Sequence, residues 1–538
     1  MSSRAQNAAR TLAAILFALA GPVAMAVYGH VTDTYLRYWL YLGAFAVLAI
    51  SAPLGWLFFG TGRFRDRFKG VAVYGLVLAL AIAAFRSLTR YEGSTSGTSL
   101  PKFVWRWTPE ASAAADPAPL ASPAPSAPVP VEETPAEGAV DVLDFLGPGR
   151  DGMWSDAELS ASFDWENAPP EELWRIPVGL GWSSFVVKGR RAVTQEQRGD
   201  AELVTCYDLL TGAPLWAHSD PGTRFVDAIA HEHGAAKMGG DGPRATPTIH
   251  GDRVFAHGAT GHLNCLKLNT GELVWSREVL GEGTTLIPKW GKSDSPLVLE
   301  KEGLVVVSGP ESAAPTLAAF VMETGEPAWE YPGAGSSYST PRLADLHGVR
   351  QILSVNAGDL TGNDPATGAA LWRFPWRGAN PKVGQPIDLP GDRVLVTASY
   401  GAGSYLVQID RDAGQWTATA AWKSLRLKTK FSSAVVRGDH LYAFDEGRLA
   451  CVEVATGNRV WKGGDYGFGQ QLLVGDRLLV QAEDGRVALV NASPDALVET
   501  ASLDALHSLT WNVPALAGRY LLVRNDREAV CYRLAGKR

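Results

Sequence analysis

A phrase ending in Thr-Gly and followed by tryptophan recurs along the C-terminal two-thirds of the chain, and few architectures accommodate such a repeat. It reads DLLTGAPLW to Trp216, KLNTGELVW to Trp275, VMETGEPAW to Trp329, DPATGAALW to Trp372 and EVATGNRVW to Trp461. A degenerate copy, RDAGQWTATAAW, ends at Trp422, and a further one, NASPDALVE, has no tryptophan. A second marker, a glycine closing an apolar run, stands at Gly189, Gly251, Gly303, Gly348, Gly391, Gly438, Gly475 and Gly518, about 47 residues apart on average. Such a period is that of four-stranded sheets repeated around an axis. The glycine of Thr-Gly supplies the positive φ of a tight hairpin, and the tryptophan buries a large area between neighbouring sheets. The last copy stops after its third strand, at CYRLAGKR, while Leu173-Trp174-Arg175 stands alone before the first. An unpaired edge is a liability, so the orphan strand is expected to complete the last sheet. The reading is an all-β, eight-bladed β-propeller over 171–538 with N-terminal transmembrane α-helices. Trp174, Trp216, Trp275, Trp329, Trp372, Trp422 and Trp461 are its structural tryptophans.

The N-terminal part follows other rules. Residues 1–90 hold three apolar stretches, 11–31, 38–59 and 71–85. The first two are long enough to cross a hydrocarbon core of about 30 Å as helices, and the third is marginal. Arg63, Arg65, Arg67 and Lys69 lie between the second and third. Positive-inside logic puts that loop and the N-terminus in the cytoplasm. The expected location is therefore the inner (cytoplasmic) membrane, multi-pass, with the propeller facing the periplasm. Arg86, Arg90, Lys102 and Arg106 run counter to this orientation, and with two spans instead of three the propeller would be cytoplasmic. Residues 91–140 are Ala/Pro-rich in large part, too poor in core-forming residues to fold, and read as a disordered spacer. Residues 141–170 form a lead-in.

The 538-residue chain carries a net charge of -7, which does not point to nucleic acid as a partner. Cys206, Cys265, Cys451 and Cys531 each sit inside a strand-like run and are expected as small buried hydrophobes. There is no HExxH, P-loop or GxSxG motif. The run 401–404 is a loop without a strand-turn-helix context, and His231-Glu232-His233 reads as a solvated loop. No catalytic residue and no metal ligand is assigned.

In a propeller the first strand of each blade lines the channel, starting at the rim where the second strand ends. That register places Thr246, Ser295, Gln470 and Asn512 at first-strand starts, with Gln195, Glu196 and Asn525 at second-strand ends. Arg198, Arg244, Lys428, Lys430, Lys462 and Arg524 lie nearby. Such hydroxyls and amides serve either to satisfy strand ends and channel water or to form a funnel for an anionic ligand. Glu196, Asn356, Asp445, Asn525 and Asp526 are the rim groups with oxygens suited to Ca²⁺.

The recurring Thr-Gly and tryptophan, from about Trp174 to Leu534, resemble the repeat of the pyrroloquinoline-quinone (PQQ)-like propeller family. Gly147-Pro148-Gly149-Arg150-Asp151-Gly152 is similar to the lead-in found before bacterial propellers of this kind. The family includes quinoprotein dehydrogenases and the non-enzymatic lipoprotein of the outer-membrane β-barrel assembly machinery. The resemblance implies either a membrane-anchored binding or scaffold module for an envelope protein, a peptide or a small anionic ligand, or a PQQ- and Ca²⁺-dependent dehydrogenase reducing membrane quinone. A sugar or small-molecule sensor is a third reading. The dehydrogenases' adjacent cysteines are missing here, which favours the non-enzymatic reading, and the lipoprotein's lipid anchor is missing too.

Overall fold

The computed structural model describes residues 3–31, 37–95, 100–107, 137–154, 163–227, 239–281, 286–378 and 381–535. His231-Glu232-His233 and most of the Pro/Ala-rich stretch lie outside them. The described residues form two compact units.

The first unit holds three helices, α1 (Ser3–Val31), α2 (Arg37–Phe59) and α3 (Phe64–Leu88), each long and apolar enough to cross a membrane. The third is longer than its apolar stretch because the basic residues before it continue the helix. Helices α1 and α2 pack through small residues: a Cβ on Gly55 would stand 2.8 Å from the Ala14 carbonyl oxygen. Ser51 also donates to the Ala18 carbonyl at 2.8 Å. Close backbone approach of this kind is how apolar helices associate in lipid. Strands β1 (Thr89–Thr95) and β2 (Leu100–Trp105) follow directly as an antiparallel pair, on positions expected to begin the spacer. Tyr91, Phe103, Val104 and Trp105 favour strand over coil.

The second unit is the propeller. Eight sheets follow in chain order, at 186–221, 248–278, 297–331, 342–375, 387–424, 435–463, 470–504 and 515–533, and are called blades one to eight. Blade eight supplies three strands, and its fourth is β4 (Glu171–Pro177), antiparallel to Glu528–Arg533 with Trp174 opposite Cys531. The ring thus closes by joining the beginning of the propeller to its end, as the truncated last repeat requires.

The repeat's chemistry explains the stacking of blades. The indole of Trp174 donates to the Leu209 carbonyl of blade one at 2.8 Å, Trp216 to Leu268 at 2.8 Å, Trp275 to Met322 at 3.0 Å and Trp461 to Ser493 at 3.0 Å. Each of the first three rings lies on the Thr-Gly glycine of the next blade. A Cβ on Gly212, whose φ is +69°, would come within 2.8 Å of Trp174. Only glycine serves that turn and that contact together. All four cysteines are buried and free, and each pairs across the strand with one of these tryptophans: Cys206 with Trp216, Cys265 with Trp275, Cys451 with Trp461 and Cys531 with Trp174.

The lead-in is part of the fold. Val142 bridges Val187 of blade one, and Ile249 of blade two donates to the Leu143 carbonyl. Arg150 donates to the Pro296 and Ser295 carbonyls of blade three at 3.0 and 3.2 Å and to Asp144 at 2.6 Å. Arg342 of blade four reaches the Gly149 carbonyl at 3.2 Å and Asp151 at 3.4 Å. Beyond it, β3 (Met153–Trp154) pairs in parallel with the first strand of blade seven. This strap crosses the ring on the side of the first hairpin turns, opposite the rim where first strands begin. It leaves a crevice of about 290 Å³ between itself and blades two to four.

Candidate functional site

The residues just before each first strand form a hydrogen-bonded circle. Thr246 Oγ1 accepts from Ser184 N, Ser295 Oγ from Thr246 N and Thr340 Oγ1 from Ser295 N, each at 3.0 Å. Ser433 Oγ accepts from Gln385 N at 3.1 Å. Gln470 Nε2 joins blades six and eight through the Phe431 and Trp511 carbonyls at 3.0 and 2.9 Å. Asn512 Nδ2 donates to the Ser183 carbonyl of blade one at 2.8 Å, and Ser184 Oγ to the Val513 carbonyl at 2.6 Å. Gln195 Nε2 ties blade one to the Ala245 carbonyl of blade two at 2.7 Å. Thr246, Ser295, Gln470 and Asn512 therefore lie at or just before first strands, Gln195 lies within a second strand that runs on to Arg198, and their hydrogen bonds staple blade to blade.

Glu196, Arg198 and Arg524 meet where the ring closes. Glu196 is fully buried and accepts from Gly179 N at 2.5 Å, Thr205 Oγ1 at 2.9 Å, Tyr207 OH at 3.0 Å and Arg198 Nε at 3.2 Å. Burial alone would raise its pKa, but Arg198 and Arg524 outweigh it and hold the carboxyl below its ordinary range. Arg524 of blade eight donates to Thr194 Oγ1 at 2.7 Å, the Gln195 carbonyl at 2.8 Å and the Gly179 carbonyl at 3.1 Å. Asn525 shapes its own turn, accepting from Arg527 N at 2.9 Å and Glu528 N at 3.0 Å.

Three of the expected cations gather in and beside blade six. Asp445, with no exposed side-chain surface, faces Lys462 at 2.7 Å, Arg459 at 3.2 Å and Lys428 at 3.3 Å. Lys430 lies 3.5 Å from Glu446 and stands over the rings of Phe468 at 4.3 Å and Tyr400 at 5.3 Å. Burial lowers its pKa, and Glu446 works against that shift.

These placements test the calcium idea. Glu196, Asn356, Asp445 and the Asn525-Asp526 pair lie in four different blades. Glu196 and Asp445 are ion-paired within their blades, and Asn356 is bonded to Ser354 and Asp359 at 2.7 Å each. Among the described residues no three His, Cys, Asp or Glu side chains are grouped to hold a metal. The four cysteines lie in four separate blades, so no adjacent thiols stand over a quinone. These donors do not fit a Ca²⁺-bound PQQ.

Two lysines on the rim, Lys292 and Lys382, escaped the reading of the sequence. Lys292, Lys382 and Lys430 occupy one register position, four residues before Pro296, Pro386 and Ala434. That alignment was the available signal, but two of the three sit in loops of unlike length. Lys292 is neutralised by Asp294 at 3.0 Å and donates to Ser308 Oγ at 2.5 Å. His257, fully buried, faces the Asp294 carboxylate through Nδ1 at 3.5 Å. Lys382 is different. Its ammonium donates to the Ala357 carbonyl at 2.5 Å and lies 5.4 Å from the Trp376 ring, and no carboxylate among the described residues is in salt-bridge range. Burial pushes its pKa down to about 8.

Aromatic rings complete the rim. Trp182 and Trp511 are 4.9 Å apart, and Trp511 and Phe431 5.1 Å. Trp290 meets Tyr338 at 5.7 Å, and Arg244 lies over Phe225 at 4.8 Å while donating to the Gly242 carbonyl at 2.6 Å. The Trp182 indole nitrogen and Asn512 Oδ1 are buried and unpartnered among the described residues.

Comparison with known proteins agrees with this architecture. Residues 199–463 match the family described as outer membrane protein assembly factor BamB. Among solved structures, quinohemoprotein alcohol dehydrogenase from Comamonas testosteroni is similar at a TM-score of 0.54 and 12% identity, over 74% of this chain and 81% of that one. BamB from Moraxella catarrhalis gives a TM-score of 0.49 and 14% identity, over 69% of this chain and 99% of that one. No curated protein sequence matches the chain.

Proposed function

We propose that this PQQ-like β-propeller is the binding module of a membrane-anchored envelope protein, and that the rim of first-strand starts holds an anionic group from a peptide, a protein partner or a small molecule. The observation that carries this reading is Lys382, a buried ammonium on the rim with an aromatic neighbour and no carboxylate in salt-bridge range among the described residues. A buried cation is costly until something of opposite charge meets it. Arg244 and the unpartnered indole nitrogen of Trp182 offer further donors around the same circle. The strap across the opposite side favours approach from the rim. The three apolar helices and the basic residues between α2 and α3 support anchoring in the inner membrane with the propeller in the periplasm.

Titration calorimetry on the purified protein tests the reading, with an acidic peptide, a sugar acid, and PQQ with and without Ca²⁺. Binding of at least one anion, weakened about 10- to 100-fold by Lys382→Met, is the expected result, since a hydrogen bond to a charged group is worth roughly 1.5–3 kcal/mol. Anion binding unaffected by Lys382→Met and Arg244→Ala, or none at all, refutes it. Tight PQQ binding with dye-linked alcohol oxidation moves the protein to the dehydrogenase reading.

A further inference from the structure

The hairpin after α3 carries more exposed aromatic surface than a water-facing hairpin keeps. Phe103, Trp105 and Trp107 are 45%, 51% and 67% exposed. Phe103 and Trp105 are two residues apart on β2 and share a face. Trp105 and Trp107 stack at 5.1 Å with planes 9° apart. The hairpin is also fastened to the helix it follows. Phe103 packs against Phe85 at 5.0 Å, and Arg106 donates to the carbonyls of Thr89 at 3.2 Å and Arg86 at 3.3 Å. Around these rings the sequence places Arg86, Arg90, Lys102 and Arg106, with Glu92 the one acid from 86 to 107.

Helix α3 explains why such a hairpin is needed. Its uncharged segment, 70–85, spans about 24 Å at 1.5 Å per residue, short of a hydrocarbon core of about 30 Å. Lys69 and Arg86 mark its two ends. Aromatic rings at the helix exit extend the apolar band to the depth where tryptophan is favoured, at the boundary of hydrocarbon and headgroups.

We propose that β1, β2 and Trp107 lie in the headgroup layer at the exit of α3, with Phe103, Trp105 and Trp107 at the hydrocarbon boundary and Arg86, Arg90 and Arg106 against lipid phosphates. The proposal rests on α3 crossing the membrane. It also accounts for the basic residues that run counter to the positive-inside pattern: they serve as phosphate ligands at the surface.

The test uses the full chain in nanodiscs of phosphatidylcholine and phosphatidylglycerol. Nitroxide labels are placed by Leu80→Cys on α3, Trp107→Cys on the hairpin and Val460→Cys on the propeller; the native cysteines are buried and stay unlabelled. Collision with oxygen relative to a water-soluble nickel chelate reads depth. The expected order is strong oxygen preference at 80, an intermediate value at 107 and nickel preference at 460. A label at 107 as nickel-accessible as that at 460, with 80 still lipid-buried, overturns the hairpin proposal and leaves the membrane anchor standing. Nickel access at 80 equal to that at 460 instead overturns the anchor itself. Replacing Arg86, Arg90 and Arg106 by serine is expected to raise nickel access at 107 several-fold, and no change removes the phosphate contacts from the proposal.

Discussion

Removing the indole of Trp174 should open the propeller at one joint and no other. This side chain is buried among Val178, Tyr207, Leu209, Leu522 and Cys531, rests on Gly212 and donates to the Leu209 carbonyl at 2.8 Å. Replacing a buried tryptophan by alanine costs about 3–5 kcal/mol through lost burial and the cavity left behind. The orphaned carbonyl raises the figure toward the upper end. In most blades such a loss falls on a sheet whose strands are consecutive in the chain. At Trp174 it falls on the pair that joins the two ends of the propeller, β4 against Glu528–Arg533. A loss of about 4 kcal/mol raises the local opening constant on the order of a thousandfold. Hydrogen exchange measured on 528–533 and 171–177 reads this directly. Trp329→Ala, which removes the tryptophan bonded to the Pro365 carbonyl at 3.1 Å, is the control. The reasoning fails if exchange at 528–533 accelerates less than tenfold in Trp174→Ala, or accelerates equally in Trp329→Ala.

Other outcomes follow from single groups. Burial raises the Glu202 carboxyl to about 7, so the folded protein holds a proton that the unfolded chain releases near 4.5. Its contribution is full below about 4.5 and is lost as pH rises toward 7; Glu202→Gln should remove up to about 3 kcal/mol of that decline in chemical denaturation. Asp445→Asn leaves Lys428, Arg459 and Lys462 facing a neutral amide and should cost about 3–5 kcal/mol by thermal unfolding. Arg150→Ala removes the bonds to the Ser295 and Pro296 carbonyls. It should expose 142–154 to limited proteolysis while the blades stay resistant; unchanged cleavage would show that the strap is held by its other contacts.

The propeller was legible because its repeat encodes a local turn and a local packing contact, both visible at fixed spacing. Even the closing partner of Trp174 followed from counting strands. The rim was legible as a place and less so as chemistry. Thr246, Ser295 and Gln470 stand where the register put them, yet nothing in a linear string shows that their polar atoms face the next blade. Lys382 and Lys292 matter through what surrounds them, set by loops from different blades. The strap was hidden for a similar reason. Gly147–Gly152 marks a tight path, but its partners, Ser295, Arg342 and Leu473, lie far along the chain.

Closure by β4 has a consequence for biosynthesis. The strand that finishes the last blade is made before any blade exists and must wait for more than three hundred residues to follow. Until Glu528–Arg533 emerges, β4 lacks its pairing partner and is a strand of the kind that recruits other chains. A polypeptide lacking Glu528–Arg533 would keep most of its blades and lose the seam, so the closure of the ring is decided at this six-residue strand.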